Sequence, residues 1–301
     1  MKMETRLLSM GEIPWRDYLE LCKPRVVALM LLTSVVGMVL AGANWLDAPA
    51  IIWGNVGIAL LAASAAAINH VVDQKVDSIM ARTMRRPLAE GRLDNRHALR
   101  FSLILALTGM VVLLTWVNAL TAWLTLASLI GYAVVYTGFL KRATPQNIVL
   151  GGLAGAAPPL LGWTTITNEI HPHALLLVLI IFAWTPPHFW ALAVHRKAEY
   201  AKAGIPMLPV THGDAYTKLH ILLYTLMLFA ASLLPFITGM CGVIYFLTAL
   251  VLGGRFLFWS VVLLRDTRKH AAIKTFHYSI VYLMGLFVSL IIDHFVPLTW
   301  G

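Results

Sequence analysis

Nine apolar stretches, each about twenty residues long, dominate the 301-residue chain: 26–45, 51–72, 99–117, 120–138, 148–167, 174–195, 219–239, 242–264 and 276–296. An α-helix needs about 20 mostly apolar residues to cross a hydrocarbon core of about 30 Å. Lipid offers the backbone no hydrogen bonds, so segments of this kind span as helices. The pattern predicts an all-α polytopic membrane protein with nine transmembrane helices in one bundle, a single domain over 1–301. Charged residues make up only 12% of the chain, against about 25% in soluble domains. That excludes disorder, a coiled coil and an ordinary soluble enzyme.

The basic residues set an orientation. Of the 23 Lys and Arg, all but Arg255 fall before the first stretch or in or at the edge of the connections 2–3, 4–5, 6–7 and 8–9, Arg100 being at the very start of the third stretch. The alternate connections and the C-terminus carry none. By the positive-inside rule the N-terminus is cytoplasmic and the C-terminus periplasmic. Residues 1–25 form a cytoplasmic N-terminal segment, which includes Lys2, Arg6, Arg16, Lys23 and Arg25 and has no apolar signal core. The expected address is a bacterial inner membrane. The net charge of +9 reads as topology, or as affinity for an anionic ligand. No basic face interleaved with aromatics exists to hold nucleic acid. Cys22 falls on the inner side and Cys241 on the outer, so the two should not pair.

Two inner connections are long, 73–98 and 196–218, and are expected to be active-site loops. Asn69, Asp73 and Asp77 are spaced i, i+4, i+8, which puts them on one helix face. Two carboxylates a turn apart repel each other and are costly at a bilayer edge. Hard oxygen ligands of this kind suit Mg²⁺, which usually takes one or two carboxylates and completes its shell with substrate phosphates. Arg82, Arg85 and Arg86 follow at once and can bind phosphate oxygens through guanidinium forks. Together they predict a diphosphate site at the inner face. Lys141 and Arg142, and Arg196 and Lys197, read either as topogenic charge or as further partners for the diphosphate or another anionic substrate group.

Asn69-x-x-x-Asp73-x-x-x-Asp77 near the end of the second of nine helices resembles the UbiA superfamily of intramembrane prenyltransferases. Further stretches resemble its haem-farnesylating branch. They are Lys23-Pro24-Arg25, the run from Arg82-Thr83 to Arg86-Pro87-Leu88, and Lys141-Arg142 before Thr144-Pro145-Gln146-Asn147. Gly151-Gly152, Gly155-Ala156, Pro158-Pro159 and Gly162-Trp163 follow. The last two, Pro186-Pro187-His188-Phe189-Trp190 and Pro206-Met207-Leu208-Pro209, are the most specific.

The resemblance implies transfer of a farnesyl group from farnesyl diphosphate to the 2-vinyl group of haem b, with water addition, giving haem o. It implies Mg²⁺ bound with the diphosphate, and haem as substrate rather than cofactor. Haem A synthase or a terminal oxidase is the implied recipient. Asn69, Asp73 and Asp77 become the catalytic and metal-binding residues. Superfamily members usually carry a second aspartate motif after helix 6; here the only nearby acid is Glu199, a candidate for that metal position. His188, inside helix 6 after two prolines, and His195 are the candidate haem contacts. His277 and His294 are weaker. His70 points about 100° from Asn69 and is set aside. Arg255 and Asp293 lie within helices 8 and 9 and could pair across the bundle, given matching depths, in a structural role. A prenyltransferase with a different aromatic acceptor, and a haem carrier or transporter, are the competing functions.

Overall fold

The computed structural model describes residues 15–296. Lys2 and Arg6 lie outside the described residues. Every regular element among the described residues is helical. Among the described residues eight helices are long and apolar enough to span a membrane, and a bent pair at the N-terminal end makes a ninth when counted as one span.

The bent pair is α1 (Trp15–Leu21) and α2 (Pro24–Leu40), meeting at 49°. Pro24 takes the first helical position of α2, where no amide donor is needed. Lys23 makes the turn with φ 49°, in the left-handed region. Helix α3 (Ala48–Asp77) runs 30 residues, roughly 45 Å at 1.5 Å per residue. That is longer than a hydrocarbon core of about 30 Å, and the helix runs through Asp73 to Asp77 without a break. The span expected at 51–72 is therefore longer, and the loop expected at 73–98 is 78–94. Its chain folds back as turns against α3, held by Gln74 Nε2 donating to the Leu88 carbonyl at 2.8 Å.

Helix α4 (Asn95–Trp116) starts from an Asp94 cap and α5 (Ala119–Ala143) from an Asn118 cap. The inner half of α5, Gly131–Leu140, is wound with π pitch. Helix α6 (Asn147–Thr167) breaks at Ala157, where Pro158 and Pro159 cannot donate to the ladder. Helix α7 (Pro172–His195) holds Pro186 and Pro187 in its interior. The second inner loop carries two short helices, α8 (Lys197–Lys202) and α9 (Leu208–Thr211). It ends at Gly213, earlier than the 218 expected, because α10 (Gly213–Ile237) extends inward. Helices α11 (Val243–Leu264) and α12 (Ala271–Phe295) complete the bundle.

Small residues set the closest crossings. A Cβ on Gly162 would overlap the Ser34 carbonyl, and one on Gly37 the Pro159 carbonyl, so α2 and the outer half of α6 touch backbone to backbone. Between α3 and α4, Gly57 makes room for the Leu113 side chain and Gly109 for the Leu61 side chain. The Arg255–Asp293 pair is not formed. Asp293 accepts instead from the amides of Gly242 and Tyr245 at the start of α11, and the Arg255 guanidinium lies over the Tyr278 ring. The two residues sit at different depths, and each finds a nearer partner.

Candidate active site

The inner end of α3 presents Asn69, Asp73 and Asp77 on one face, all buried at 4%, 2% and 4% exposure. A carboxylate in such a place needs compensation, and each oxygen-bearing side chain has a cation from a different element. Lys23, at the α1–α2 bend, donates to Asn69 Oδ1 at 2.5 Å. Lys141, at the end of α5, lies 2.5 Å from Asp73 Oδ2, and Arg142 is 3.7 Å from Asp73 Oδ1. Arg86, from the first inner loop, lies 2.6 Å from Asp77 Oδ2. Asn69 Nδ2 also donates to Asp73 Oδ2 at 2.8 Å, with Thr137 of the π-wound segment 3.4 Å away. Thr83 donates to the Asp77 carbonyl at 3.2 Å and holds the loop down.

The two inner loops meet over this cluster. Met80 of the first packs with Tyr200, Ile205, Met207 and Leu208 of the second. This gives the Pro206-Met207-Leu208-Pro209 segment a packing role. Burial pushes the Tyr200 phenol up, while the nearby Arg82 and Arg196 pull it down. Arg82 and Arg85 are exposed on the loop surface, which leaves a basic rim around two buried carboxylates.

Several expected residues sit elsewhere. Lys197 pairs with Asp214 at 2.9 Å. Glu199 pairs with Arg196 at 3.7 Å and does not join Asp73 and Asp77. Among the described residues no three acids, histidines or cysteines gather in a metal-holding group. His195 is exposed at the inner end of α7, on a cleft of about 460 Å³ with Lys218, Arg268 and Lys269. His188 is buried where α7 packs on α12. Its ring stacks on Trp184 at 4.2 Å and Phe276 at 4.6 Å.

Two residues near the cluster escaped the sequence reading. Lys23 is one; the Lys23-Pro24-Arg25 stretch carries the family resemblance but does not point to Asn69 as its partner. His70 is the other. It is 2% exposed, neither ring nitrogen has a partner, and Lys23 and Arg86 lie within electrostatic reach. The 100° offset places it behind the cluster, not away from it.

The donor set can be tested for a metal. Asp73 Oδ1 is buried without a hydrogen-bond partner, and the available ligands are two carboxylates and an amide oxygen. That set fits a hard divalent cation sharing its shell with substrate phosphates, and is too small for an all-protein cage.

The structure is a bundle of membrane-spanning helices with paired, buried carboxylates and clustered cations at one end. The chain belongs to the UbiA prenyltransferase family, whose profile matches residues 30–291. It is 75% identical over 285 residues to the protoheme IX farnesyltransferase of Hahella chejuensis, covering 95% of each chain. It is 67% identical to protoheme IX farnesyltransferase 1 of Pseudomonas aeruginosa PAO1, covering 94% of this chain and 95% of that one. Among solved structures it resembles a digeranylgeranylglyceryl phosphate synthase, at 18% identity and TM-score 0.78, over 93% of this chain and 98% of that one. A UbiA homologue from Archaeoglobus fulgidus bound to GPP and Mg²⁺ matches at 16% identity and TM-score 0.61, over 91% of this chain and 99% of that one. Both show the fold.

Proposed function

We propose that this chain transfers the farnesyl group of farnesyl diphosphate to the 2-vinyl group of haem b, with addition of water, giving haem o and diphosphate. The observation that carries the diphosphate half is the buried Asn69, Asp73 and Asp77 face, met by Lys23, Lys141 and Arg86 from three separate elements. The haem half rests on the protoheme IX farnesyltransferase relatives.

In the reaction the C1–O bond of farnesyl diphosphate breaks, and its electron pair leaves with the diphosphate. The vinyl π pair forms the new carbon–carbon bond. The cation left beside the porphyrin ring takes water and releases a proton. Asn69, Asp73 and Asp77 would hold Mg²⁺, which when bound neutralises the departing diphosphate. Lys23, Lys141 and Arg86 are placed to donate to the same oxygens. Removing one such preorganised donor typically costs about 10²–10³ in kcat. Arg82, Arg85, Arg142 and Arg196 supply an outer layer of positive charge. The apolar bundle keeps water from the allylic cation before the new bond forms.

The site faces the cytoplasm of a bacterial inner membrane, because the basic loops lie on its side. The test uses inverted membrane vesicles with haem b, farnesyl diphosphate and Mg²⁺, reading the product mass. Wild type should give haem o and Asp73→Ala none. Diphosphate release without modified haem would replace the acceptor. Haem binding with neither product would replace the enzyme with a carrier. Turnover confined to right-side-out vesicles would reverse the orientation.

A further inference from the structure

The histidine between α7 and α12 has a chemistry of its own. His188 Nδ1 lies 2.6 Å from Ser279 Oγ. The same hydroxyl lies 2.6 Å from the Phe276 carbonyl. A carbonyl oxygen only accepts, and a serine hydroxyl has one proton. That proton is therefore committed to Phe276, and Ser279 Oγ accepts from the imidazole. His188 carries its hydrogen on Nδ1 and its lone pair on Nε2. No side chain or carbonyl among the described residues hydrogen-bonds that Nε2.

The ring is also held in place. Trp184 stacks on it at 4.2 Å and 21°, Phe276 at 4.6 Å and 29°. Phe189 meets it edge-on at 4.9 Å. Trp184 is itself fixed, its indole N–H donating to the Ser279 carbonyl at 2.7 Å. One short stretch of α12 thus orients both the imidazole and its stacking partner. An imidazole with one nitrogen hydrogen-bonded and the other bearing a free lone pair is the usual form of a metal-ligating histidine. Neutral imidazole nitrogen suits iron, and a proximal histidine is a common haem ligand.

We propose that His188 Nε2 is an axial ligand to the iron of the haem substrate, with Ser279 as the positioning residue that fixes its tautomer. The inference rests on haem as the acceptor. Ligation here would anchor the macrocycle by its centre.

The test titrates the full-length protein in nanodiscs with protohaem and reads absorption and ferrous resonance Raman spectra. Wild type should show a histidine–iron stretching band. His188→Ala should lose it and bind haem about tenfold or more weakly, with added imidazole restoring ligation. Ser279→Ala keeps the ligand but removes the acceptor for Nδ1–H, so the band should move to lower frequency. His195→Ala should leave the spectra unchanged.

Wild-type spectra in His188→Ala, or an unmoved band in Ser279→Ala, overturn the proposal. If His188→Ala fails to fold, the Ser279→Ala band decides alone. Product mass is read in parallel. Haem o formation with unchanged His188→Ala spectra removes the ligand and keeps the reaction. A histidine-ligated spectrum without haem o keeps the ligand and removes the reaction.

Discussion

Removing the Lys141 ammonium should strand a buried charge. The Asp73 side chain is 3% exposed and Lys141 is 2.5 Å away. Breaking a buried pair by deleting one partner costs about 3–5 kcal/mol. Here the lower end applies. Lys141 is itself 21% exposed, Asn69 still donates to Asp73 at 2.8 Å, and Arg142 remains at 3.7 Å. Lys141→Met should therefore lower stability by about 3 kcal/mol, roughly a hundredfold in the folding equilibrium. Asp73→Asn leaves the more accessible partner behind and should cost about 1–2 kcal/mol. Combining the two removes both charges, so the double variant should be less damaged than the sum by about 2 kcal/mol. The assay is a double-mutant cycle of reversible unfolding in mixed micelles. Losses that add to within about 0.5 kcal/mol would refute the pairing and leave Lys141 a substrate contact only. All three variants should be inactive, so stability separates the two roles where turnover does not.

Gly162→Ala forces a methyl into the Ser34 carbonyl and should sharply reduce the folded yield. Gly155→Ala meets nothing within 4 Å and should match wild type in size-exclusion profile. The Cys241 thiol, in the turn before α11, is pushed up to about 12 by burial, with Asp293 adding to the shift. Its thiolate is thus scarce at neutral pH, and maleimide labelling of a Cys22→Ser protein should rise about tenfold per pH unit from 7 to 9. A plateau within that range would place the thiol in an ordinary environment.

The Asn69, Asp73 and Asp77 face and the cations that meet it were not equally visible in the chain. The spacing of Asn69, Asp73 and Asp77 states their shared face, because residues four apart on a helix align wherever the helix goes. Arg86 follows within one loop of Asp77, close enough for the charge pattern to suggest it. Lys141 reads equally well as topogenic charge, and only its distance to Asp73 assigns it. Lys23 gives still less away, since its partner lies 46 residues along and the bend that aims it depends on α1. Lys197 read as topogenic charge or anion partner and Glu199 as a second metal position; the structure sets them 2.9 Å from Asp214 and 3.7 Å from Arg196, contacts that spacing along the chain does not record.

The sequence by itself determined the spans, the sidedness of the charge and the carboxylate face. These follow from local periodicity and from the cost of placing polar groups in lipid. Only the tertiary structure decided which cation meets which oxygen, that both inner loops close over one site, and which His188 nitrogen is free. Each of those depends on helices far apart in the chain coming within a few ångströms. Close approach is set by packing at small residues such as Gly37 and Gly162, and the spacing of residues along one helix does not record it.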